Sequence, residues 1–270
     1  MSDGMRVRPR ENPRWRLSEL AAELGSTADG EATVTGISLN TGHVVPGDLY
    51  AALPGANAHG ATYADAAREK GAVAVLTDAE GAALVTDLPV VVVEEPRRSL
   101  AGLAATFYGH PAAAFTTVGI TGTQGKTTTT YLAEAALGDR VSAVVGTIGT
   151  RIGRTPAAST LTTPEAPQLQ ALFSVMREEA VELCAMEVSS HALVQGRVDG
   201  FRFDVSVFLN LGRDHLDFHH DLEEYFFAKA ALFTPDHSGH AVINIDDAHG
   251  RRLRELTPLP VTTFSTDGNP

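Results

Sequence analysis

The residues that most clearly indicate a chemical function are 121–128, where the chain reads Thr-Gly-Thr-Gln-Gly-Lys-Thr-Thr. An apolar segment before them predicts a buried strand, and the Ala- and Leu-rich segment Thr129–Leu137 after them predicts a helix. Strand, turn and helix together make a phosphate-binding loop, because glycines let backbone N–H groups surround phosphate oxygens and a helix N-terminus favours anions. A helix cap that binds no nucleotide is the alternative interpretation.

The roles of individual loop residues follow from this pattern. Lys126 should reach the outer phosphates of ATP, and the hydroxyl of Thr127 should be a ligand for Mg²⁺. Ile120 stands where the usual G-x-x-x-x-G-K-[ST] pattern has its first glycine, and Gly122 follows instead. The predicted ATP-binding residues are Gly122, Thr123, Gln124, Gly125, Lys126, Thr127 and Thr128.

Further polar residues follow later apolar segments. Glu187 comes directly after Val181–Met186, so it should project from the end of a strand toward the phosphates. A carboxylate there suits Mg²⁺, which prefers hard oxygen ligands, although a carboxylate that caps a neighbouring helix is the alternative. The stretch 214–221 holds three histidines and three aspartates, and it fits either the metal site of a hydrolase or a solvated loop. We expect His219 and His220 to be surface residues.

Lys229 lies on the apolar face of a helix predicted over 222–233. Its neighbours one turn away are aromatic or aliphatic, namely Tyr225, Phe226, Leu232 and Phe233. Burial lowers the pKa of a lysine, because the charged form is disfavoured, and a neutral amine can react with CO₂ to form a carbamate. The alternative is a lysine whose stem is buried while its ammonium reaches water.

Alternating elements must hold these residues together. In the first half, one helical segment (Tyr63–Lys70) stands among four strand-like segments, which predicts a small α/β domain. Those strands are Val34–Leu39, Asp48–Ala52, Ala72–Thr77 and Leu88–Val93, and a helix follows at Ser99–Tyr108. The second half predicts strands at 115–121, 141–147, 181–188, 203–209, 241–245 and 261–264, and helices at 127–137, 166–178, 222–233 and 248–256. Such alternation predicts a mostly parallel sheet that binds ligands at the carboxyl ends of its strands.

The fold class predicted from this pattern is α/β, with a small N-terminal α/β domain before a P-loop ATPase-type domain whose sheet is mostly parallel. We expect a loose tail at 1–25, the α/β domain at 26–112, and the ATP-binding domain at 113–270. The tail is predicted from the basic and polar composition of Met1–Arg16, which lacks the apolar stretch of a signal peptide.

Composition restricts the class of protein. Of the 270 residues, 43% are hydrophobic and 20% are charged, as in an ordinary globular protein with a real core. The net charge of −12 argues against nucleic acid or an anionic membrane surface as a partner. The single Cys184 excludes an intramolecular disulfide and suits the cytoplasm, and its apolar surroundings predict a buried, inert thiol. No apolar run reaches the roughly 20 residues of a membrane helix, so we expect no membrane insertion.

Several motifs resemble those of the Mur ligases. The shortened loop T-G-T-x-G-K-T-T is the form found in that family, and the remaining motifs follow in the family's order. They are Leu161–Glu165, Glu187–His191 with Gln195 and Arg197, Asn210–Asp217, and Ala228-Lys229. The first two resemble the branch of the family that adds the third amino acid of the peptidoglycan stem peptide. The resemblance covers about residues 30–270, so it implies an incomplete ATPase domain and an absent amino-acid-binding domain.

The resemblance implies catalytic and metal-binding roles. Thr127 and Glu187 would hold one Mg²⁺, while His215 and a carbamylated Lys229 would hold a second. Asn210 and Asp214 would belong to the same site. The implied catalytic residues are Lys126, Glu187, His215 and Lys229.

The resemblance also implies a substrate site for a UDP-linked muramyl dipeptide. The muramyl peptide would be held by Thr162, Thr163, Ser189, Gln195 and Arg197. The residues that follow Glu187, among them Ser189, Gln195 and Arg197, are expected on a loop. The UDP moiety would be held by Leu39, Thr41 and the loop Pro54–Gly60. The usual Asp-Ser-Arg after the first strand is here Asn40-Thr41-Gly42, so the arginine of the family pattern is missing.

The implied reaction is ATP-dependent amide formation. ATP would phosphorylate a substrate carboxylate to an acyl phosphate, and the amine of an amino acid, either meso-diaminopimelate or L-lysine, would displace the phosphate. Two alternatives stay open at this point. One is a related ligase that acts on another carboxylate, such as a folate, and the other is a nucleotide-binding module without catalysis.

Overall fold

The computed structural model describes residues 7–157, 161–215 and 217–268. Contacts between Cα atoms divide the chain into two compact units. The N-terminal unit comprises Arg8–His110 and Glu165–Leu172, and the central unit is made chiefly of Pro111–Pro164 and Phe173–Pro270. The N-terminal unit is therefore built from two separate segments of the chain.

The N-terminal unit contains a four-stranded parallel sheet and a short antiparallel pair. Its strands are β1 (Trp15–Arg16), β2 (Thr33–Val34), β3 (Gly36–Ser38), β4 (Asp48–Ala51), β5 (Ala74–Thr77) and β6 (Val90–Val92). Its helices are α1 (Leu17–Glu23), α2 (Ala64–Glu69), α3 (Ala79–Ala82) and α4 (Pro96–Phe107). The parallel sheet has the order β3-β4-β5-β6, and β1 pairs with β2. Strands β4 and β5 are buried along their whole length, as expected for strands covered on both faces.

The expectation of a loose tail over residues 1–25 is wrong for its second part. Helix α1 buries Leu17, Leu20 and Ala21 in the same core as the strands. These residues recur at i, i+3 and i+4, which is the pattern of a helix with one apolar face. The polar composition of the residues before them hid this short pattern. Farther upstream, both guanidinium nitrogens of Arg8 donate to the carboxylate of Asp48, each at 2.6 Å.

The central unit is built on an eight-stranded sheet. Its strands are β7 (Thr116–Thr121), β8 (Ser142–Gly146), β9 (Gly149–Ile152), β10 (Thr155–Ala157), β11 (Leu183–Glu187), β12 (Phe203–Phe208), β13 (Ser238–Asn244) and β14 (Val261–Phe264). Their order is β10-β9-β8-β11-β7-β12-β13-β14, and within the described residues of this sheet only the pairs that involve β9 are antiparallel. The helices are α5 (Lys126–Ala136), α7 (Ser190–Val194), α8 (Leu222–Ala230) and α9 (Ala248–Leu256), together with the later part of α6 (Ala166–Glu178), whose first part belongs to the N-terminal unit. The predicted α/β class with a mostly parallel sheet is confirmed.

Three details of the central unit differ from the sequence expectations. Strands β9 and β10 form a hairpin that was not predicted, because Thr, Gly and Arg interrupt its apolar pattern. The residues after Glu187 were expected on a loop, yet they form α7, whose N-terminus is capped by Ser189. The α-helix predicted over 222–233 ends at Ala230 and continues as a 3₁₀ turn.

The strand order brings the predicted motifs to one edge of the sheet. Strand β7 lies between β11 and β12 and is parallel to both. The phosphate loop follows β7, Glu187 is the last residue of β11, and Asn210 follows β12. Because the carboxyl ends of parallel strands meet at the same edge, these three features are neighbours. Cys184 lies inside β11 and is fully buried, as predicted, and burial raises the pKa of its thiol to about 12.

Candidate active site

The loop between β7 and α5 has the backbone of a phosphate-binding turn. Gly125 has a φ of +87° and precedes the first residue of α5, a conformation that residues with a Cβ rarely adopt. A Cβ on Gly122 would lie 2.9 Å from the Cβ of Leu209, so a larger residue would push the loop away from β12. Both glycines of the loop are therefore required by geometry. Ile120, at the position of the missing glycine, is a buried strand residue.

Asn210 holds the loop in place from the neighbouring strand. Its side-chain oxygen accepts a hydrogen bond from the backbone N–H of Gln124 at 3.0 Å, and its side-chain nitrogen donates to the carbonyl of Gln124 at 3.1 Å. The backbone N–H of Thr123 also donates to the carbonyl of Asn210, at 3.1 Å. An amide that satisfies both backbone groups of one residue fixes the position of that residue.

Two lysine ammoniums converge on the same carbonyl of the loop. The Nζ of Lys126 donates to the carbonyls of Gly122 and Thr123 at 2.8 and 3.2 Å. The Nζ of Lys229 donates to the carbonyl of Gly122 at 3.2 Å. Burial lowers the pKa of Lys126, and the carboxylates of Glu187 and Asp214 act in the opposite direction. The site thus supplies local positive charge to a protein that is acidic overall.

Lys229 is buried on the apolar face of α8, as the sequence predicted. Burial, followed by the charge of Lys126, lowers the pKa of its ammonium to about 7. Asp214 opposes this shift. The ammonium also lies 4.5 Å from the centre of the Tyr225 ring. The alternative in which the ammonium reaches water does not describe this side chain.

Thr127 and Glu187 meet at the ends of α5 and β11. The hydroxyl of Thr127 donates to Oε1 of Glu187 at 2.7 Å, and Glu187 is 1% exposed. The same carboxylate accepts the backbone N–H of Thr147 at 2.9 Å and the Thr147 hydroxyl at 3.1 Å. Sequence reasoning did not single out Thr147, although its position at the end of the predicted strand 141–147 pointed to this edge of the sheet.

This donor set fits Mg²⁺ that is also bound by phosphate. A hydroxyl and a carboxylate in contact are hard oxygen ligands, and Mg²⁺ commonly completes its shell with phosphate oxygens and water. Over residues 7–157, 161–215 and 217–268, no group of three or more His, Cys, Asp or Glu side chains is arranged to hold a metal. The protein residues alone would therefore form only part of the coordination shell.

His215, expected to bind a second metal, lies at the surface beside Tyr225. Its φ is +53° and its side chain is 44% exposed. The His215 ring lies 6.2 Å from the Tyr225 ring, measured between centroids, and Nε2 is 3.6 Å from Oδ2 of Asp214. Tyr225 is the side chain against which both His215 and Lys229 lie.

The expectation that His219 is a surface residue is wrong. His219 is fully buried, and its Nε2 lies 2.9 Å from the hydroxyl of Ser190. The reason is the unpredicted helix α7, which provides a surface for this stretch: His191 on α7 stacks on Phe218 with ring centroids 4.0 Å apart. Burial lowers the pKa of His219. His220 is exposed, as expected.

The residues expected to hold the muramyl peptide form one cluster beside Glu187. Thr163 is buried; its hydroxyl donates to the carbonyl of Glu187 at 2.9 Å and accepts the backbone N–H of Ser189 at 3.1 Å. Arg197 donates to the carbonyl of Thr163 at 2.9 Å and to the side chain of Gln195 at 2.6 Å. Thr163 thus ties the strand end to the N-cap of α7. Thr162 is partly exposed, with its hydroxyl 3.1 Å from that of Thr147.

The residues expected to hold UDP lie at one edge of the N-terminal sheet. Leu39 and Thr41 follow β3, and the loop 54–60 follows β4, which is parallel to β3. Asn40 accepts the backbone N–H of Gly42 at 2.7 Å and so begins a tight turn.

His59, which sequence reasoning did not name, organises the 54–60 loop. Its Nδ1 accepts the backbone N–H of Ala61 at 3.0 Å, which leaves Nε2 as the donor to Asp78, 3.1 Å away.

Comparison with known proteins agrees with this geometry. The sequence pattern described as the Mur ligase middle domain matches residues 120–270, and the pattern of the Mur ligase family, catalytic domain, matches residues 33–108. The chain belongs to the Mur ligase family. Both matches cover the residues that build the sites described above.

Named relatives within this family are similar over nearly the whole chain. A UDP-N-acetylmuramoyl-L-alanyl-D-glutamate–2,6-diaminopimelate ligase of Streptomyces avermitilis is 54% identical over 97% of this chain and 53% of its own length. A UDP-N-acetylmuramyl-tripeptide synthetase of Leifsonia xyli is 46% identical over 96% of this chain and 52% of its own. The chain thus spans about half the length of these Mur ligases.

Solved structures of Mur ligases share the fold. A structure titled as the 2,6-diaminopimelate ligase has a TM-score of 0.72 and 29% identity, over 87% of this chain and 49% of the other. A crystal structure of MurF from Acinetobacter baumannii has a TM-score of 0.70 over 96% of this chain and 55% of the other; at 17% identity it shows the fold alone. None of the described helices is long and apolar enough to cross a membrane.

Proposed function

We propose that the protein is an ADP-forming ligase that adds the third amino acid to UDP-N-acetylmuramyl-L-alanyl-D-glutamate in peptidoglycan synthesis. The observation that carries this proposal is the contact between Thr127 and Glu187, 2.7 Å apart, beside a phosphate loop with a lysine at its end. The names of the relatives supply the substrate. They also favour 2,6-diaminopimelate over L-lysine as the amino acid that is added. We propose the cytoplasm as the place of the reaction, since ATP is available there.

In this proposal the protein acts by positioning and by neutralising charge. Lys126 would stabilise the phosphoryl group as it moves from ATP to the γ-carboxylate of D-glutamate. Thr127 and Glu187 would hold Mg²⁺, which when bound offsets the charge of the phosphate oxygens. The amine of the amino acid would then attack the acyl phosphate, form a tetrahedral intermediate and release phosphate.

The second proposed metal position would use His215 and Lys229. The carbamate at Lys229 is supported by burial, by the neighbouring charge of Lys126 and by a pKa of about 7, which together favour the neutral amine that reacts with CO₂. A carbamate would replace a cation by an anionic oxygen ligand, which suits Mg²⁺. Asp214, which acts on Lys229 electrostatically, would belong to the same site.

The proposed substrate positions follow the two sheet edges. Leu39, Thr41 and the loop 54–60 would contact UDP in the N-terminal unit. Thr162, Ser189, Gln195 and Arg197 would contact the muramyl peptide in the central unit. For Thr163 we propose a supporting role, because its hydroxyl is buried and already bonds Glu187 and Ser189 within the protein.

The substitution Lys126→Ala tests the nucleotide site. We expect the affinity for Mg·ATP to fall by about tenfold to 100-fold, since charge-assisted hydrogen bonds contribute about 1.5–3 kcal/mol each. The fold should persist, because the carbonyl of Gly122 keeps the Nζ of Lys229 as a donor. Isothermal titration calorimetry measures the affinity, and far-UV circular dichroism measures the fold.

Lys70→Ala is the matched control, because Lys70 is an exposed lysine at the end of α2 and lies in the N-terminal unit. It should bind Mg·ATP like the unmodified chain. Unchanged affinity in a folded Lys126→Ala variant would refute the nucleotide site and, with it, the proposed ligase.

A further inference from the structure

The carboxylate of Glu187 is held by a turn to which the proposed reaction assigns no role. Gly146 and Thr147 stand at the end of β8, where the hairpin to β9 begins. A Cβ on Gly146 would lie 2.2 Å from Oε1 of Glu187, so only glycine leaves room for the carboxylate there. The next residue, Thr147, donates two hydrogen bonds to the same carboxylate, one from its backbone N–H and one from its hydroxyl.

The three donors on Glu187 define its orientation. Oε1 accepts the Thr127 hydroxyl at 2.7 Å and the Thr147 N–H at 2.9 Å. Oε2 accepts the Thr147 hydroxyl at 3.1 Å. Because each oxygen has a separate donor from Thr147, rotation of the carboxylate about its last bond would break one of the two bonds. Thr147 therefore fixes the plane of the carboxylate, with one oxygen toward Thr127.

The hydroxyl of Thr147 also connects this carboxylate with Thr162. Its single hydrogen is donated to Glu187, so in the contact with Thr162, 3.1 Å long, it is the acceptor and Thr162 is the donor. The result is a chain of hydroxyls that runs from Thr162 through Thr147 to Glu187. The hydrogen of Thr162 is then engaged, and its oxygen can serve only as an acceptor.

We infer that Thr147 is a positioning residue that orients Glu187 for the metal-bound nucleotide and couples it to the substrate threonine Thr162. This inference rests on the proposed function. The hydroxyl of Thr147, acting together with its backbone N–H, is required for the Mg²⁺-dependent part of nucleotide binding, whereas its methyl group is not.

The test compares Thr147→Val with Thr147→Ser in the intact chain. Valine keeps the shape and the backbone N–H but removes the hydroxyl, whereas serine keeps the hydroxyl. The affinity for ATP is measured by calorimetry in Mg²⁺ and again in EDTA. We expect Thr147→Val to bind Mg·ATP about tenfold more weakly, the loss of one hydrogen bond to a charged group, and to bind ATP in EDTA like the unmodified chain. Thr147→Ser should retain the affinity for Mg·ATP.

Two further variants keep the result interpretable. Thr147→Ala removes the same hydroxyl with less bulk and should behave like Thr147→Val. Thr162→Val should also weaken Mg·ATP binding, by less than Thr147→Val, and should have no further effect in a chain that already carries Thr147→Val. Additive losses in the double variant would overturn the coupling between these residues.

The outcomes separate this inference from the proposed function. If Lys126→Ala binds Mg·ATP more weakly than the unmodified chain and Thr147→Val binds it equally well, the role of Thr147 is wrong and the nucleotide site stands. An equal loss in Mg²⁺ and in EDTA, or a loss in Thr147→Ser, would also overturn it. If Lys126→Ala binds normally, the proposed function itself fails.

Discussion

Lys126 and Lys229 donate to the same carbonyl oxygen, that of Gly122, and burial is the main cause of the lowered pKa of both ammoniums. Two ammoniums near one acceptor repel each other, and both are removed from water. The more deeply buried Lys229 carries the larger shift, to a pKa of about 7. Lys126 remains the better placed of the two to stay charged, because Glu187 and Asp214 offset part of the effect of burial on its pKa.

A carbamate on Lys229 is directly measurable. A buried lysine with a pKa of about 7 is mostly neutral at about pH 8, and the neutral amine is the form that reacts. At a fixed concentration of dissolved ¹³CO₂, the carbamate signal in ¹³C NMR should therefore grow as the pH rises through the pKa of Lys229. An ordinary exposed lysine should require a pH closer to its own pKa, about 10.4.

The chain offers clean controls for this measurement, since Lys70, Lys126 and Lys229 are its lysines. The N-terminal amine, with a pKa of about 8, also forms a carbamate and should give its signal in every variant. A second signal should disappear in Lys229→Ala and persist in Lys70→Ala. A carbamate spectrum that is the same in the unmodified chain and in Lys229→Ala would contradict the carbamate at Lys229.

Helix α8 places Lys229 beside the phosphate loop, and Tyr225 on the same helix contacts that loop. Tyr225 is buried, with its ring beneath Lys229 and its hydroxyl 3.3 Å from that of Thr123. Thr123 has a second partner, the backbone N–H of Gly212 at 2.9 Å. Thr123 therefore keeps a hydrogen-bond partner when the Tyr225 hydroxyl is removed. Removal of the whole ring would instead leave a cavity beside α8.

Two substitutions at Tyr225 should differ in their cost. Tyr225→Phe should lower the free energy of unfolding by about 0.5–1.5 kcal/mol, the contribution of one hydrogen bond. Tyr225→Ala should lower it by about 3–5 kcal/mol, as for other large aromatic side chains removed from a core. Urea denaturation followed by fluorescence measures both. A Tyr225→Ala variant as stable as Tyr225→Phe would show that the ring does not support α8.

The sequence was informative where an element had an unbroken pattern. The apolar runs of β7 and β11 and the aromatic face of α8 could be predicted, and with them the placement of Thr127, Glu187 and Lys229. Short elements were missed: α7 has too few residues to show a period, and α1 follows a polar stretch. Thr147 and His59 act through contacts with residues far along the chain, so no local sequence pattern predicts their roles.

At the scale of the whole molecule, two separate sheet edges carry the two proposed ligand sites. The residues of the proposed UDP site lie in the N-terminal unit, and those of the proposed nucleotide site lie in the central unit. Each set of residues can therefore be observed independently.

NMR titration of the intact chain should distinguish these two edges. Addition of UDP should shift the backbone signals of residues 39–41 and 54–60, because these loops follow adjacent parallel strands. Addition of Mg·ADP should shift residues 122–128 and Thr147. Shifts of the 122–128 loop with UDP and none at 54–60 would contradict the assignment of UDP to the N-terminal unit. Asn40→Ala removes the hydrogen bond to Gly42. It should reduce the shifts caused by UDP and leave those caused by Mg·ADP unchanged.

The N-terminal unit includes residues 165–172, which follow the phosphate loop in the sequence. Ala171 lies in the same core as Leu100 and Leu103, and Glu165 pairs with Arg97 at 3.2 Å, so residues 165–172 belong to a unit whose other part ends at His110. A ribosome makes the four parallel strands of this unit first, and then the phosphate loop, before it makes Ala171. The earliest part of the protein to be synthesised therefore cannot bury its whole core until a stretch of the central unit has also been translated. Premature release of the nascent chain between these points would expose an unfinished apolar surface, the kind of species that chaperones bind and that aggregates.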